Sequence, residues 1–463
     1  MDSVVRKLYL VLASCAYLAD AAQRPVVKYL GVPVPMRDGV RLFANVFLPN
    51  ETSRLPAILV RTPYGKGADI TPNYQAFVEH GYAIVVQDVR GRYESEGAFQ
   101  PFTQETGDGD DTLNWVARQP WSNGKVGMMG GSYVGIAQWK AASTNNPHLK
   151  AISPVVSGYD DYRDRYYSTG GALKLGNRLE WMSENLRAPG YHQDFGKFVL
   201  HLPVRSSDVA ALGWTSPMYQ DIIEHPSFDA FWRAISTKEH LDRIKVPVFS
   251  VGGWYDNFVQ SDLEAYAARR RTSALSRILV GPWAHNMSVP FEGVDFGTDA
   301  TVAVRALQLQ WFDQFLMGKD VPLLSQPPVR IFVMGANKWR EETAWPPEYG
   351  AILKAGLTHR RSVDNGHHLL EVINYQTIEK DFVAILEIRQ VYIFFDRILF
   401  APQGSEGALD LLIQRKYPWR QQASQAQHIP LTLGEGGPFI EQWVGQQLPP
   451  MEVTGLTPGG EAG

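Results

Sequence analysis

The sequence predicts an α/β fold, and three observations carry that expectation. From about Val26 onward, short apolar runs bounded by turn residues alternate with stretches of helical spacing. Each run is short enough to be a strand buried on both faces. Hydrophobic residues make up 44% of the chain and charged residues 20%, the balance of a folded rather than a disordered protein. At roughly 100 to 200 residues per domain, 463 residues call for two or three domains.

In chain order, the strand candidates are Pro56–Val60, Tyr82–Val86, Val126–Met129, Ala151–Val156, Val246–Val251 and Arg277–Val280. Leu113 to Gln119 has helical spacing and follows the acidic stretch Asp108-Gly-Asp-Asp111, which suits a helix N-terminus through the macrodipole. The same acids lack the ligand spacing of a calcium loop. Ile136 to Ala142 and Ala306 to Met317 also read as helical. The predicted core therefore comprises residues 26–157 and 241–320. Between Gly158 and His240 the strand signals stop, and aromatic residues such as Tyr162, Tyr166, Trp181 and Trp232 recur with helical spacing. A helical cap over the active face at 158–240 is the expectation, the alternative being a helical layer without substrate contact. Pro327–Met334 reads as a further strand, opening a C-terminal region at 321–463 that becomes hard to read from about Ile352.

Charge excludes some function classes. Lys plus Arg number 44 against 48 Asp plus Glu, a net charge of −4, so no electrostatic footprint for nucleic acid or an anionic membrane is present. One cysteine, Cys15, excludes an intrachain disulfide framework and a cysteine-based zinc site. It lies in an N-terminal segment with basic residues by position 7, an apolar run from Leu8 to Ala13 and small residues beyond, the pattern of a signal peptide over residues 1–22. Leu12-Ala-Ser-Cys15 resembles a lipoprotein box, which would anchor the chain to a membrane through Cys15. Ala19-Asp-Ala21 resembles an ordinary cleavage site that would remove it. Secreted, periplasmic or lipid-anchored localisation is the expectation, against a retained N-terminal helix on a cytoplasmic protein.

The chemistry concentrates at three places. Lys125-Val-Gly-Met-Met-Gly-Gly-Ser132-Tyr-Val-Gly135 runs an apolar strand into Gly-x-Ser and then into a helical stretch, the context of a nucleophile elbow. The second glycine is displaced by one position, so the motif alone also fits a structural Gly-rich turn. Asp256, in Gly252-Gly-Trp-Tyr-Asp256, directly follows a strand and can orient a histidine, or can be a turn or N-cap aspartate. His285, in Gly281-Pro-Trp-Ala-His285, follows the last core strand; a lone histidine there would be unremarkable. Together the three occur in the order Ser, Asp, His, each at or beyond a strand end, which is the chain order of the α/β-hydrolases. An oxyanion needs donors. The Tyr133 backbone N–H and the loop carrying Arg61-Thr-Pro-Tyr64, with its phenol, are candidates.

With these residues in place the chain resembles a known family. Arg61-Thr-Pro-Tyr64, Gln87-Asp-Val-Arg-Gly91 with Ser95-Glu-Gly97, Gln119-Pro-Trp-Ser-Asn-Gly-Lys125, Gly130-Gly-Ser-Tyr133, Tyr255-Asp256, Gly281-Pro-Trp-Ala-His285 and Trp311-Phe-Asp313 are similar to the X-Pro dipeptidyl-peptidase and cocaine-esterase family of serine hydrolases. The likeness runs in order from about Tyr29 to Pro347. It implies Ser132 as nucleophile, His285 as general base, Asp256 as its orienter, and the Tyr64 hydroxyl with the Tyr133 N–H as oxyanion hole. It further implies an α/β-hydrolase core with a helical cap, followed by a C-terminal β-sandwich of jelly-roll type. After about Gly350 the sequence departs from the family, so an incomplete or divergent jelly-roll-like domain is expected. A frameshifted or truncated coding sequence would account for that region, and His367 and His368 make a poor metal pair.

The resulting expectation is a serine hydrolase cleaving small acyl esters or amides through an acyl-enzyme, needing no metal or organic cofactor. The alternatives are an X-Pro dipeptidyl-peptidase or α-amino-acid ester hydrolase, or a catalytically inactive chain. The amine-binding alternatives would require an acid facing Ser132, with Asp160, Asp161, Asp164 and Glu180 as candidates. Oligomeric state has no sequence signature.

Overall fold

A computed structural model describes residues 25–50, 53–168, 170–271, 275–289 and 293–347, together with two short strands at 362–364 and 367–369. The signal-peptide reading of residues 1–22, Cys15 and the region after about 350, those two strands apart, lie outside the described residues. The chain divides into two compact units, Met1–His359 with Tyr375–Ile388, and Arg360–Asn374 with Arg389–Gly463. Of the second, the described part is an antiparallel hairpin of Ser362–Asp364 against His367–Leu369.

The first unit is built on a ten-stranded sheet. Its strands are β1 (Val26–Pro35), β2 (Arg41–Pro49), β3 (Leu55–Thr62), β4 (Ala83–Asp88), β5 (Ser122–Gly131), β6 (Leu149–Val155), β7 (Val248–Gly253), β8 (Ser276–Gly281), β9 (Val329–Val333) and β10 (Lys338–Glu342), in the spatial order β1-β2-β4-β3-β5-β6-β7-β8-β9-β10. From β4 to β9 every neighbour is parallel; β1 and β2 at one end and β10 at the other are antiparallel. Every residue of β3, β4, β7 and β8 is buried, as expected of parallel strands covered on both faces. Alternation sorts β3 between the two faces. Ala57 and Leu59 join Leu113, Val116 and Trp139 on one side, while Ile58 and Val60 join Phe77, Leu309 and Phe312 on the other.

The helices covering these faces are α1 (Pro72–Glu79), α2 (Glu105–Ala117) and α3 (Tyr133–Ala142), with α9 (Val259–Arg270) and α10 (Val304–Phe312) later in the chain. All six predicted core strands are present. Two expectations are corrected. The helix expected to begin after Asp108–Asp111 begins at Glu105, so Asp108 lies in its first turn and pairs with Arg90, while Asp110 and Asp111 pair with Arg37. The core also does not end near residue 320. Strands β9 and β10 continue the main sheet beside β8, so 321–342 belongs to the core rather than to a separate sandwich.

The segment between β6 and β7 is helical. It holds a π-helical turn at Asp161–Tyr166, then α4 (Leu175–Leu186), α5 (Phe195–Val199), α6 (Ser207–Leu212), α7 (Pro217–Glu224) and α8 (Ala230–Ile235). Leu179, Met182, Phe198, Leu212 and Tyr219 form a small core of its own, whereas Tyr166, Tyr167 and Trp232 pack with Phe102, Tyr133 and Ile136 of the sheet layer. Ion pairs pin the same junction: Asp161 to Lys140 of α3 at 2.8 Å and to Arg165, and Asp160 to Lys238 at 2.8 Å. Burial would raise the Asp160 carboxyl, but Lys238 and Arg163 outweigh it and hold the group below its ordinary range.

Asp164 differs. It is buried, accepts the Asp160 N–H at 2.6 Å, and has no cation paired with it among the described residues. Burial first, then the Asp160 charge, pushes its pKa up to about 8, against the pull of the Ser261 hydroxyl and Lys174. In the unfolded chain an aspartate titrates near ~3.9. Between these values the folded state holds the extra proton, so the contribution is full below about pH 4 and is lost as pH rises toward 8. Asp164→Asn cannot ionise. Its melting temperature relative to the parent chain is therefore expected to rise between pH 5 and pH 8; a constant difference across that range in thermal melts would show that Asp164 is already ionised in the fold.

Candidate active site

Ser132 sits at the turn between β5 and α3 with φ +56° and ψ −126°. A non-glycine residue in that region costs about 1–3 kcal/mol and persists only where the surroundings enforce it. Two glycines make the turn possible. A Cβ on Gly130 would stand 2.3 Å from a Val134 methyl, and one on Gly135 would stand 2.4 Å from the Ser157 Cβ. The Ser132 carbonyl accepts the N–H groups of Gly135 and Ile136 at 2.9 and 3.0 Å, starting the helix, and its own N–H donates to Val155 O at 2.9 Å. The N–H of Tyr133, the first helical residue, belongs to the four for which an α-helix supplies no acceptor.

Asp256 and His285 arrive from the next two strand ends. Asp256 follows β7 in a turn closed by its N–H to Gly253 O at 2.9 Å. His285 follows β8. The two loops approach closely because Gly253 has no Cβ, which would otherwise lie 2.2 Å from Trp283 O; Tyr255 N–H donates to that carbonyl at 3.0 Å. The buried Asp256 places Oδ1 2.8 Å from His285 Nδ1, and His285 Nε2 lies 3.0 Å from Ser132 Oγ. A proton on Nδ1 facing the carboxylate leaves Nε2 free to accept the serine hydroxyl, the arrangement required of a nucleophile and its base. The imidazole also rests against the Phe258 ring, centroids 5.6 Å apart.

Tyr64 is held by the helical insertion between β6 and β7. Its phenol oxygen accepts the Trp181 indole N–H at 3.2 Å, which leaves its own proton available to donate. Trp181, on α4, stacks on the Tyr133 ring with centroids 6.2 Å apart and planes 9° from parallel. The hydrogen bond that Tyr64 makes through its hydroxyl is thus to the helical insertion, and the insertion reaches the elbow.

Beneath the elbow lies a network that sequence reasoning missed. The Tyr133 hydroxyl donates to Glu105 Oε1 at 2.8 Å and accepts the Phe102 N–H at 3.2 Å. Glu105 Oε2 pairs with Arg61 Nη1 at 2.5 Å, and Arg61 Nε donates to Gln87 at 2.9 Å. Burial, then the Glu105 charge, holds the Tyr133 phenol far above its ordinary pKa, so it stays protonated as the donor. Arg61 was legible only as part of the Tyr64 loop, and Glu105 carries no local signal because its partners are 28 and 44 residues away. Trp181 was visible only as one of several aromatic residues at helical spacing.

Three of the four acids considered for holding a substrate amine are committed elsewhere. Asp160 and Asp161 are ion-paired within the junction, Asp164 is buried against backbone, and Glu180 is solvent-exposed. Glu105→Ala would leave the buried Arg61 with only the more distant Asp108 carboxylate, at 3.8 Å, and the Tyr133 hydroxyl without its acceptor. Removing one partner of a buried pair typically costs about 3–5 kcal/mol, so urea denaturation is expected to show a loss of that order; a loss under about 1 kcal/mol would mean that the network does not secure the elbow.

Comparison with known proteins identifies a family. Residues 38–287 match the family model of the X-Pro dipeptidyl-peptidase (S15 family). The cocaine esterase of Rhodococcus sp. (strain MB1 Bresler) is 36% identical over 343 residues, covering 68% of this chain and 59% of the esterase. The Xaa-Pro dipeptidyl-peptidase of Lactobacillus helveticus (strain DPC 4571) is 24% identical over 248 residues, covering 52% of this chain and 29% of the peptidase. Among solved structures, an α-amino acid ester hydrolase superposes with a TM-score of 0.57 at 28% identity, covering 70% of this chain and 60% of that one. The chain therefore spans about three fifths of the cocaine esterase's length. Because the family match takes in the elbow, Asp256 and His285 alike, the chain belongs to the X-Pro dipeptidyl-peptidase (S15) family.

Proposed function

We propose that this chain is a serine hydrolase that cleaves small acyl esters, and amides of similar shape, through a covalent acyl-enzyme. The observation that carries the reading is the continuous chain from Ser132 Oγ through the His285 imidazole to Asp256, at 3.0 and 2.8 Å. Ser132 attacks the carbonyl carbon while His285 Nε2 takes its proton. The imidazolium is stabilised by Asp256, and the developing oxyanion accepts hydrogen bonds from the Tyr133 N–H and the Tyr64 hydroxyl. His285 then protonates the leaving group, activates water, and returns the proton to Ser132 as the acid departs.

The strained backbone at Ser132 supports this role, since strain of that kind concentrates at functional sites. Cocaine esterase, as a relative, supports an ester substrate. An N-terminal amine as the recognised group is disfavoured, because the candidate acids of the insertion are paired, buried or turned to solvent.

A fluorophosphonate probe is expected to label the protein, and Ser132→Ala to lose that label together with turnover of p-nitrophenyl esters. A folded protein that neither labels nor turns over esters would sink the proposal, and faster cleavage of X-Pro anilides than of esters would move it to the peptidase reading. Tyr64→Phe removes the donor, and with it the acceptor of the Trp181 indole N–H, so kcat is expected to fall ~10²- to 10³-fold. An unchanged kcat would take Tyr64 out of the oxyanion hole.

A further inference from the structure

Helix α4 presents Arg178, Trp181 and Asn185 at i, i+3 and i+7, on one side. That side faces the site: Trp181 donates to Tyr64 and stacks on Tyr133, and the Asn185 carbonyl accepts Arg92 Nη1 at 2.9 Å. Arg178 is one turn before Trp181, within electrostatic reach of the Tyr64 phenol and of the Asp256 carboxylate.

The cations around it are spoken for. Arg165 pairs with Asp161 and lies over the Phe102 ring, 4.2 Å from its centroid. Lys174 Nζ donates to the carbonyls of Arg163 and Asp164 at 2.8 and 3.2 Å. Of the two arginines, Arg165 has a carboxylate partner and Arg178 has none among the described residues. Its Nε is buried without a hydrogen-bond partner, one Nη donates to the side chain of its sequence neighbour Asn177, and no carboxylate among the described residues pairs with it. A guanidinium stays charged in proteins and is costly to bury unpaired. One helical turn from the Trp181 that holds Tyr64, such a group is a ready partner for a planar anion, which it can grip with two parallel N–H donors.

We propose that Arg178 is a specificity-determining residue that receives a carboxylate carried by the ester substrate, so that the enzyme favours esters bearing a negative charge, such as hemi-esters of dicarboxylic acids. The inference rests on the serine-hydrolase reading above. It adds a substrate class to it: the fixed positive charge on α4 attracts a carboxylate and repels a substrate ammonium, in keeping with the commitment of the nearby acids elsewhere. No covalent step beyond the acyl transfer already described is involved.

The test compares kcat/KM for matched anionic and neutral esters. Mono-p-nitrophenyl glutarate against p-nitrophenyl pentanoate places the charge on the acyl side, and 4-butyryloxybenzoate against phenyl butyrate places it on the leaving group. The parent chain is expected to prefer the anionic member of one pair. Arg178→Gln is expected to lower that anionic-to-neutral ratio about 10- to 100-fold, mostly through KM, the effect of losing a hydrogen bond to a charged group. Arg178→Lys should retain part of the preference. A ratio equal in parent and Arg178→Gln for both pairs would overturn the assignment. Should Arg178→Gln fail to melt cooperatively, inhibition of the parent chain decides: glutarate is expected to compete with the neutral ester well below the concentration that glutaramide requires, and equal inhibition by the two would count against the proposal. Neutral-ester turnover with no charge preference defeats this inference alone, whereas no turnover of any ester by folded protein defeats the hydrolase reading and this one with it.

Discussion

The constraint on which the site depends is the backbone at Ser132. A serine at φ +56° and ψ −126° would relax to a commoner conformation unless both sides of the turn were fixed. Upstream, the parallel pairing of β5 with β3 and β6 fixes it; downstream, α3 is buried along its whole length. Gly130 and Gly135 remove the atoms that would collide, so the hydroxyl projects at the end of the strand where two neighbouring loops deliver Asp256 and His285.

Tyr133 converts this local strain into a property of the whole core. Its backbone lies at the start of α3, and its ring and hydroxyl descend into the Arg61–Glu105 pair. That pair joins β3 to α2, so three elements of the sheet layer converge on the residue after the nucleophile. Above it, Trp181 stacks on the same ring and holds Tyr64, so the helical insertion is coupled to the elbow through one aromatic side chain. A buried ion pair is a weak source of net stability, but breaking it leaves a buried charge without its close partner.

The buried charges at the junction of sheet and insertion are sorted by partner. Asp256 is given to His285, Asp160 and Asp161 to lysines and arginines, and Asp164 is driven toward its neutral form by burial. After that allocation no carboxylate among the described residues pairs with Arg178 of α4.

How much of this was legible in the sequence follows from the range of the forces involved. Apolar runs reveal buried parallel strands because burial on both faces forbids polar residues, so β3 to β8 could be read directly, and the Gly-x-Ser turn with its acid and base in order marked Ser132, Asp256 and His285. Strand β1 was not separated as a strand, since it is half-exposed and lacks the continuous apolar run, and β2, though buried, has its apolar residues interrupted by Asn45; β10, with its charged edge, was missed because it is polar. The assignment of β9 to the main sheet is decided by pairing with β8, which no local pattern encodes. Likewise the partners of Tyr133 and Tyr64 lie tens to more than a hundred residues away. The sequence by itself determined which groups could react and in what order they come. Tertiary structure alone decided which charges are neutralised and which remain, because that depends on burial and on partners that are brought together only when the chain folds.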